Sequence, residues 1–125
     1  MGMTVVPILM KKSHEAAESE TVEFLVDSGA VYSVVNSKTL RRLGCEPYRR
    51  KAFFLADGTK IERSIGDAYF EYAGIGGAAS VIFGEEGDSN LLGATTLEAL
   101  ELVLDPFKRE LRPMTMALMG AAPFR

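Results

Sequence analysis

Alternating apolar and polar residues predict two neighbouring strands near the start of the chain. The segments TVVPILMKK (residues 4–12) and TVEFLVD (residues 21–27) are rich in β-branched and apolar residues. The polar segment between them is typical of a loose, solvated turn. We therefore expect a β-hairpin whose second strand leads directly into Asp27.

The next part of the chain is predicted to form a short strand and then a short helix. VYSVV (residues 31–35) has the β-branched composition of a strand. KTLRRL (residues 38–43) has helix-spaced apolar positions, Asn36 or Ser37 can cap its first turn, and Gly44 can end it.

A long hairpin is predicted in the middle of the chain. Residues 49–74 contain two apolar-rich arms around the pair Asp57-Gly58, which is one of the stronger short-range signals for a hairpin turn. We place the tip at residues 56–59 and expect a two-residue turn with a positive φ at Gly58.

The last third is predicted to contain a strand, an acidic loop, a helix and a final hairpin. These segments are GGAASVIFG (76–84), EEGDSN (85–90), TTLEALEL (95–102) with Thr95 or Thr96 as cap, and LVLDPFKRELRP (102–113). LLG (91–93) between them is predicted to be a buried turn. The apolar tail 113–125 fits a strand, a helix or an interface segment equally well.

This succession of short strands with few helical residues favours an all-β, barrel-like fold. The length of 125 residues, without a repeat or a low-complexity linker, indicates a single domain over residues 1–125. A net charge of -3 provides no basic surface for nucleic acid. The apolar run before Lys11 is too short to span a bilayer and lacks the features of a secretory signal, so we expect a cytoplasmic protein with no membrane partner.

Several patterns are weak indications of chemistry. GIGGAA (residues 74–79) resembles a dinucleotide fingerprint, but a β-like segment follows where that motif needs a helix, so we expect a hairpin. Cys45 and His14 are the only residues of their types, which excludes an intrachain disulfide and makes a Cys/His nucleophile depend on a chance encounter.

An acidic segment offers a second weak indication. Glu85, Glu86 and Asp88, with Asn90, could supply oxygen ligands to a hard cation, but their spacing is not that of a calcium loop. We therefore expect a solvated loop and no metal or other cofactor.

Asp27 is the strongest candidate for chemistry. It ends an apolar strand, and Ser28 and Gly29 follow it: the first brings a hydroxyl and the second allows backbone angles that other residues avoid. A plain strand-ending turn would also explain this tripeptide, so its context decides.

That context resembles the retropepsin-like aspartic proteases. FLVDSGAVYSVV (residues 24–35) is similar to the active-site strand of that family, and NLLGATTLEAL (residues 90–100) is similar to its second signature. The hairpin ADGT (residues 56–59) lies between them, where the family carries its flap. The resemblance covers residues 21–112 and is nearer to the small bacterial and DNA-damage-inducible members than to the retroviral enzymes.

The resemblance implies a small closed acid-protease-like barrel with one or two short helices, one lobe per chain, assembled as a homodimer. Asp27 of each chain would be catalytic on a peptide or protein substrate. The residues with supporting roles would be Ser28, Gly29 and Ala30 in the active-site loop, Ala56, Asp57, Gly58 and Thr59 in the flap, and Leu91, Leu92 and Gly93 in the wall of the substrate pocket.

Two departures from the retroviral pattern bear on substrate choice. Val31 and Ala94 stand where retroviral members carry a substrate-binding acid and its arginine partner, so retroviral-type selection is not expected. Three hypotheses follow: an aspartic endopeptidase, a dimeric peptide-binding module of the same fold without hydrolysis, and a metal hydrolase that uses Glu85, Glu86 and Asp88.

Overall fold

A computed structural model describes residues 3–115, which form nine strands and two short helices. The elements are β1 (Val5–Lys11), β2 (Ser19–Val26), β3 (Ser33–Asn36), α1 (Ser37–Arg42), β4 (Arg49–Phe54), β5 (Lys60–Tyr72), β6 (Ile75–Gly84), β7 (Leu91–Leu92), α2 (Ala94–Ala99), β8 (Leu102–Asp105) and β9 (Glu110–Pro113). The mostly β composition with two short helices confirms the predicted class. Most of the apolar tail, residues 116–125, lies outside the described residues.

The N-terminal hairpin is confirmed. Strands β1 and β2 are antiparallel, with Val6 opposite Phe24 and Ile8 opposite Val22. These four side chains are buried, while their neighbours along each strand are exposed or half-buried. The period-2 pattern therefore reports one face packed on the core and one face toward solvent.

Seven strands form one sheet in the order β1-β2-β7-β3-β6-β5-β4, and β1 also pairs with β5. The two-residue strand β7 lies between β2 and β3: it runs parallel to β2, with Leu25 opposite Leu91, and antiparallel to β3, with Val34 opposite Leu91. The strand that precedes Asp27 and the LLG segment are therefore direct neighbours, although more than sixty positions separate them in sequence.

The central hairpin is confirmed, but the predicted length of its turn is wrong. Leu55 N donates to Thr59 O at 2.8 Å and Gly58 N donates to Leu55 O at 2.9 Å, so three residues form the loop and only its last, Gly58, has a positive φ of 88°. This geometry is a turn closed by a left-handed residue, an alternative that Asp-Gly sequences also satisfy.

A two-residue turn is found instead at Ala73-Gly74, where both residues have positive φ and join Tyr72 to its partner Ile75. The GIGGAA segment therefore continues as strand β6, which confirms the predicted hairpin at this position.

The first helix has the predicted ends. The Asn36 side chain accepts a hydrogen bond from Lys38 N at 2.8 Å, and Gly44 follows the helix with φ of 91°. The second helix differs, because α2 begins one residue earlier than expected, after Gly93, and has no side-chain cap. The prediction of Thr95 or Thr96 as cap is wrong, since both hydroxyls bond elsewhere.

Strands β8 and β9 form the predicted last hairpin and make a separate two-stranded sheet. Leu102 and Leu111 extend the hydrophobic core from this hairpin, and Leu97 and Leu100 join it from α2. Within residues 3–115, no helix has the length and apolar content needed to cross a membrane.

Candidate active site

Asp27 lies exposed at the end of strand β2, in a loop with a fixed shape. Its backbone N–H donates to Leu92 O at 3.0 Å, and its carbonyl accepts from Ala30 N at 3.1 Å. Its Oδ1 atom accepts a hydrogen bond from Gly29 N at 3.0 Å. The carboxylate is thus presented to solvent while its own loop holds its orientation.

Gly29 and Gly93, the glycines of the two signatures, have different structural environments. Gly29 has no positive φ, so the backbone freedom expected for it is not used, and a Cβ there would lie 3.4 Å from Asp27 Oδ1, an ordinary contact. A Cβ on Gly93 would lie 2.5 Å from Tyr32 O, far inside van der Waals contact. Gly93 therefore allows the second signature to approach the Asp27 loop closely.

The start of α2 is bonded to the chain that leaves Asp27. Ala94 N donates to Ala30 O at 2.7 Å, and Thr95 N donates to Val31 O at 3.0 Å. The Thr95 hydroxyl donates to the same Val31 oxygen at 2.7 Å. The loop is consequently held from β7 and from α2 together, which limits how far Asp27 can move.

Ser33 and Thr96 form a buried polar contact beneath this loop. Their hydroxyl oxygens are 2.6 Å apart, and Ser33 Oγ also accepts a hydrogen bond from Gly93 N at 2.9 Å. Both side chains are fully buried. From the sequence, no role was expected for Ser33 and only that of a helix cap for Thr96; two hydroxyl residues at strand and helix positions that would otherwise be apolar are the signal that could have found this contact.

An open groove of about 840 Å³ begins beside the Asp27 loop. Its walls include residues 30–32 after Asp27, residues 53–55 of the central hairpin, residues 87–89 and Leu91. Most of these side chains are apolar, and Tyr32 and Phe53 meet edge to face with ring centroids 6.3 Å apart. The groove can therefore receive an extended apolar chain.

The structure places the expected pocket and flap residues as follows. Leu91 lines the groove, but Leu92 is fully buried and Gly93 is buried against Tyr32 O, so these two support the loop and do not form the wall. Of the central hairpin, residues on both sides of the tip line the groove: Lys51 and residues 53–55 before it, and Ile61 and Arg63 after it. The tip residues, Ala56, Asp57, Gly58 and Thr59, are exposed and lie outside the lining.

One ion-pair cluster borders the groove. The Arg63 guanidinium contacts both Asp88 carboxylate oxygens, at 2.8 and 3.2 Å, and lies 3.5 Å from Glu85. The hydrogen bonds from Arg63 lower the pKa of Asp88 against the opposing effect of its partial burial, and a bond from Glu85 N lowers the pKa further. Asp88 thus joins strand β5 to the loop after β6.

The side chains of Asp88 and Asn90 in the acidic loop bond to other parts of the chain. In the part of the chain that the structure describes, no group of three or more His, Cys, Asp or Glu residues has an arrangement suited to a metal ion. Asn90 Oδ1 instead accepts a hydrogen bond from Asn36 N at 2.9 Å. Asp88 is engaged by Arg63 and Asn90 by Asn36, so the geometry offers no support to the metal-hydrolase hypothesis for Glu85, Glu86 and Asp88.

Cys45 and His14 likewise have structural positions. Cys45 is buried, and desolvation raises the pKa of its thiol, which disfavours the nucleophilic thiolate. His14 lies in the turn between β1 and β2, with its ring 5.3 Å from the Tyr69 ring.

Comparison with known proteins supports the fold. No protein-family model matches the sequence, and no curated protein matches it. Among solved structures, the chain is similar to the retroviral protease-like domain of Ddi1 from Leishmania major, with 23% sequence identity, a TM-score of 0.60, and coverage of 93% of this chain and 91% of that one. The chain therefore has the fold of a retroviral protease-like domain.

Proposed function

We propose that this chain is one lobe of a homodimeric aspartic endopeptidase of the small, bacterial type. The observation that carries the proposal is the placement of Asp27: an exposed carboxylate at the end of a strand with one face on the core, bonded through its backbone to Leu92 and adjacent to an apolar groove. A turn with only a structural role would not need an acid beside such a groove.

The proposed reaction uses Asp27 of each subunit around one water molecule. One carboxylate is ionised and takes a proton from the water as it attacks the peptide carbonyl carbon, while the protonated partner donates a hydrogen bond and then its proton to the carbonyl oxygen. The resulting diol collapses, the C–N bond breaks, and the leaving nitrogen receives a proton from the pair. The two acids share one proton because two negative charges so close together repel each other strongly.

The single D-S-G segment of the sequence is the reason for proposing a dimer. A two-fold axis places a residue near it beside its own copy, so a symmetric dimer supplies the second acid without a second motif. The pairing of β1 with both β2 and β5 supports the closed barrel that this lobe would form.

The other site residues have roles in this arrangement. Ser28 is exposed and could bond across the axis, Gly29 orients the carboxylate through its N–H, and Ala30 begins the groove wall. The hairpin tip at residues 56–59 would close over a bound peptide, with Phe53 and Leu55 contacting its side chains.

The direct test is incubation of the protein with a peptide mixture across pH, beside Asp27→Asn. We expect cleavage with a bell-shaped pH profile on the acidic side of neutral, and none in the variant, because the amide keeps the shape of the carboxylate but cannot act as a base. Equal turnover in both proteins would contradict the assignment.

The dimer has its own test, which is subunit mixing. If each site needs two acids, equal amounts of active protein and Asp27→Asn leave about a quarter of the activity after exchange, against about half for independent chains, by two-fold pairing statistics.

A second candidate is a dimeric peptide-binding module of the same fold that does not hydrolyse its ligand. The apolar groove favours it as much as the enzyme, since Asp27 lies beside the groove and not in its lining. This alternative would be established if the wild-type protein cleaves no peptide at any pH and Asp27→Asn binds peptides with the same affinity as wild type.

A further inference from the structure

Lys51 is a cation on the groove side of the central hairpin. It lines the groove together with Phe53, its neighbour two positions along the same face of β4. Its side chain is exposed, and among residues 3–115 no carboxylate lies within ion-pair distance of it. Lys51 therefore faces the groove with a charge that no ion pair neutralises.

The residue opposite Lys51 is a second cation, whose charge is already balanced by acids. In the β4–β5 register, Lys51 pairs with Arg63, and like charges directly opposite each other in antiparallel strands are unfavourable. Arg63 is neutralised by Asp88 and Glu85, its side chain is only 15% exposed, and its orientation is fixed by the bidentate contact. Lys51, by contrast, remains available to an incoming anion.

The rest of the groove constrains what that anion can be. Val31, which is 61% exposed, Phe53, Leu55 and Leu91 present apolar surface, so a small inorganic anion would satisfy Lys51 but leave this surface bare. A peptide with large apolar side chains and one carboxylate side chain would cover the apolar surface and also pair with Lys51. Asp88, the one acid among the lining residues that the structure describes, is paired with Arg63, and Val31 adds no further acid that would repel the peptide carboxylate.

We propose that Lys51 is a specificity-determining residue that makes the groove select apolar peptides carrying one glutamate or aspartate. The proposal rests on the proposed function only in taking the groove as the peptide site, and it holds for a hydrolysing or a merely binding lobe. The ammonium group on its flexible four-carbon stem forms an ion pair with the peptide carboxylate at the hairpin side of the groove.

The test measures peptide affinity, separately from cleavage. The probes are twelve-residue peptides of Phe, Leu, Val and Ala with a single Glu at each position in turn, each paired with the same peptide carrying Gln. Binding is measured by calorimetry on Asp27→Asn at low salt. At one position or two adjacent positions we expect the Glu peptide to bind about 2–5-fold more tightly, the range of a solvent-accessible ion pair, and the difference to shrink with added salt.

Three variants in the Asp27→Asn background assign the effect. Lys51→Met should abolish the Glu preference while keeping affinity for the Gln peptides, and Lys51→Glu should reverse it in favour of a matched Lys peptide. Lys38→Glu makes the same change in net charge on an exposed residue of α1 outside the groove, and it should leave the preference unchanged.

The outcomes separate this proposal from the proposed function. A Glu preference that survives Lys51→Met, no Glu preference at any position, or no binding of any peptide would overturn the role of Lys51. A wild-type protein that cleaves peptides without regard to acidic residues would overturn it while sustaining the endopeptidase. A Lys51-dependent preference in a protein without peptidase activity would sustain it while the endopeptidase fails.

Discussion

Ser33 and Thr96 are joined by a hydrogen bond of 2.6 Å in the buried layer under the Asp27 loop, although sixty-three positions separate them in the chain. Ser33 belongs to β3 and Thr96 to α2, and Ser33 also holds the N–H of Gly93. The contact therefore ties together the three segments that surround the candidate acid: the strand after it, the second signature and the second helix.

Removing the Thr96 hydroxyl should destabilise the fold. In Thr96→Val the shape is kept, but the Ser33 hydroxyl loses a partner in a fully buried position, which costs about 1–3 kcal/mol of the free energy of unfolding. Urea unfolding at pH 7 measures this loss. Thr96→Ser keeps the hydroxyl and should lie nearer to wild type, and a Thr96→Val protein more stable than Thr96→Ser would contradict the role assigned to the bond.

The two signature glycines should respond differently to alanine. Gly93→Ala places a methyl group 2.5 Å from Tyr32 O, so the backbone must move, and we expect a loss of at least about 1–3 kcal/mol or failure to fold. The methyl group of Gly29→Ala contacts only Asp27 Oδ1, at 3.4 Å, and the φ of Gly29 is not in the left-handed region. The free energy of unfolding of this variant should therefore lie within about 1 kcal/mol of the wild-type value.

Thermal unfolding of both proteins, followed by circular dichroism, makes this comparison. Equal melting temperatures for the two alanine variants would show that the close approach of Gly93 to Tyr32 carries no energetic weight.

Gly58 should be sensitive to its backbone conformation and not to crowding. Its φ is 88°, and no atom lies within 4 Å of an added Cβ. Gly58→Val should therefore cost about 1–2 kcal/mol through left-handed strain alone, and Gly58→Asn should cost less, because asparagine tolerates this region. If backbone strain determines the effect, chemical denaturation should show stability falling from wild type to Gly58→Asn to Gly58→Val. Equal stabilities of the two variants would contradict this explanation.

For the proposed enzyme, Gly58→Val should also reduce turnover by more than the lost stability explains, since the tip would close over the substrate. Peptidase assays at a temperature where both proteins are fully folded test this, and unchanged kinetics would remove the hairpin tip from the site.

The sequence predicted most elements because their physical signals are local. Period-2 patterns on β1 and β2 report burial, and Asn36 and Gly44 mark both ends of α1 in ways that depend on a few neighbouring residues. The expected cap of α2 was wrong, because the hydroxyls of Thr95 and Thr96 bond to residues more than sixty positions away.

The site was only partly predictable for the same reason. Strand β7 has two residues and therefore no periodicity, so its insertion between β2 and β3 has no local signal. The resemblance marked Leu91, Leu92 and Gly93 together, but only burial separates the groove-lining Leu91 from the other two. The opposition of Lys51 and Arg63 depends on hairpin register, which the misjudged turn length would have shifted.

Asp88 should make the stability of the protein depend on pH. Its pKa is lowered in the folded state, chiefly by the hydrogen bonds from Arg63, so the ionised carboxylate stabilises the fold. That contribution is fully present above the pKa of the unfolded state, about 3.9 for aspartate, and is lost as the pH falls through the lower folded-state pKa. Asp88→Asn removes the charge and should lower the free energy of unfolding at pH 7.

The difference between wild type and Asp88→Asn should therefore be constant from pH 7 down to the unfolded-state pKa of about 3.9 and should narrow below it, because the carboxyl group of wild-type Asp88 then loses its charge. Denaturant unfolding at a series of pH values measures this difference in the free energy of unfolding. The pKa values of Asp57 and Asp105 are also lowered, but both proteins share these effects, so they cancel in the difference. Glu86→Gln is the matched control for the change in charge, since Glu86 is exposed in the same loop, and its free energy of unfolding at pH 7 should equal that of wild type. A wild-type advantage over Asp88→Asn that stays constant down to pH 2 would mean that the Arg63 contact contributes through shape and not through charge.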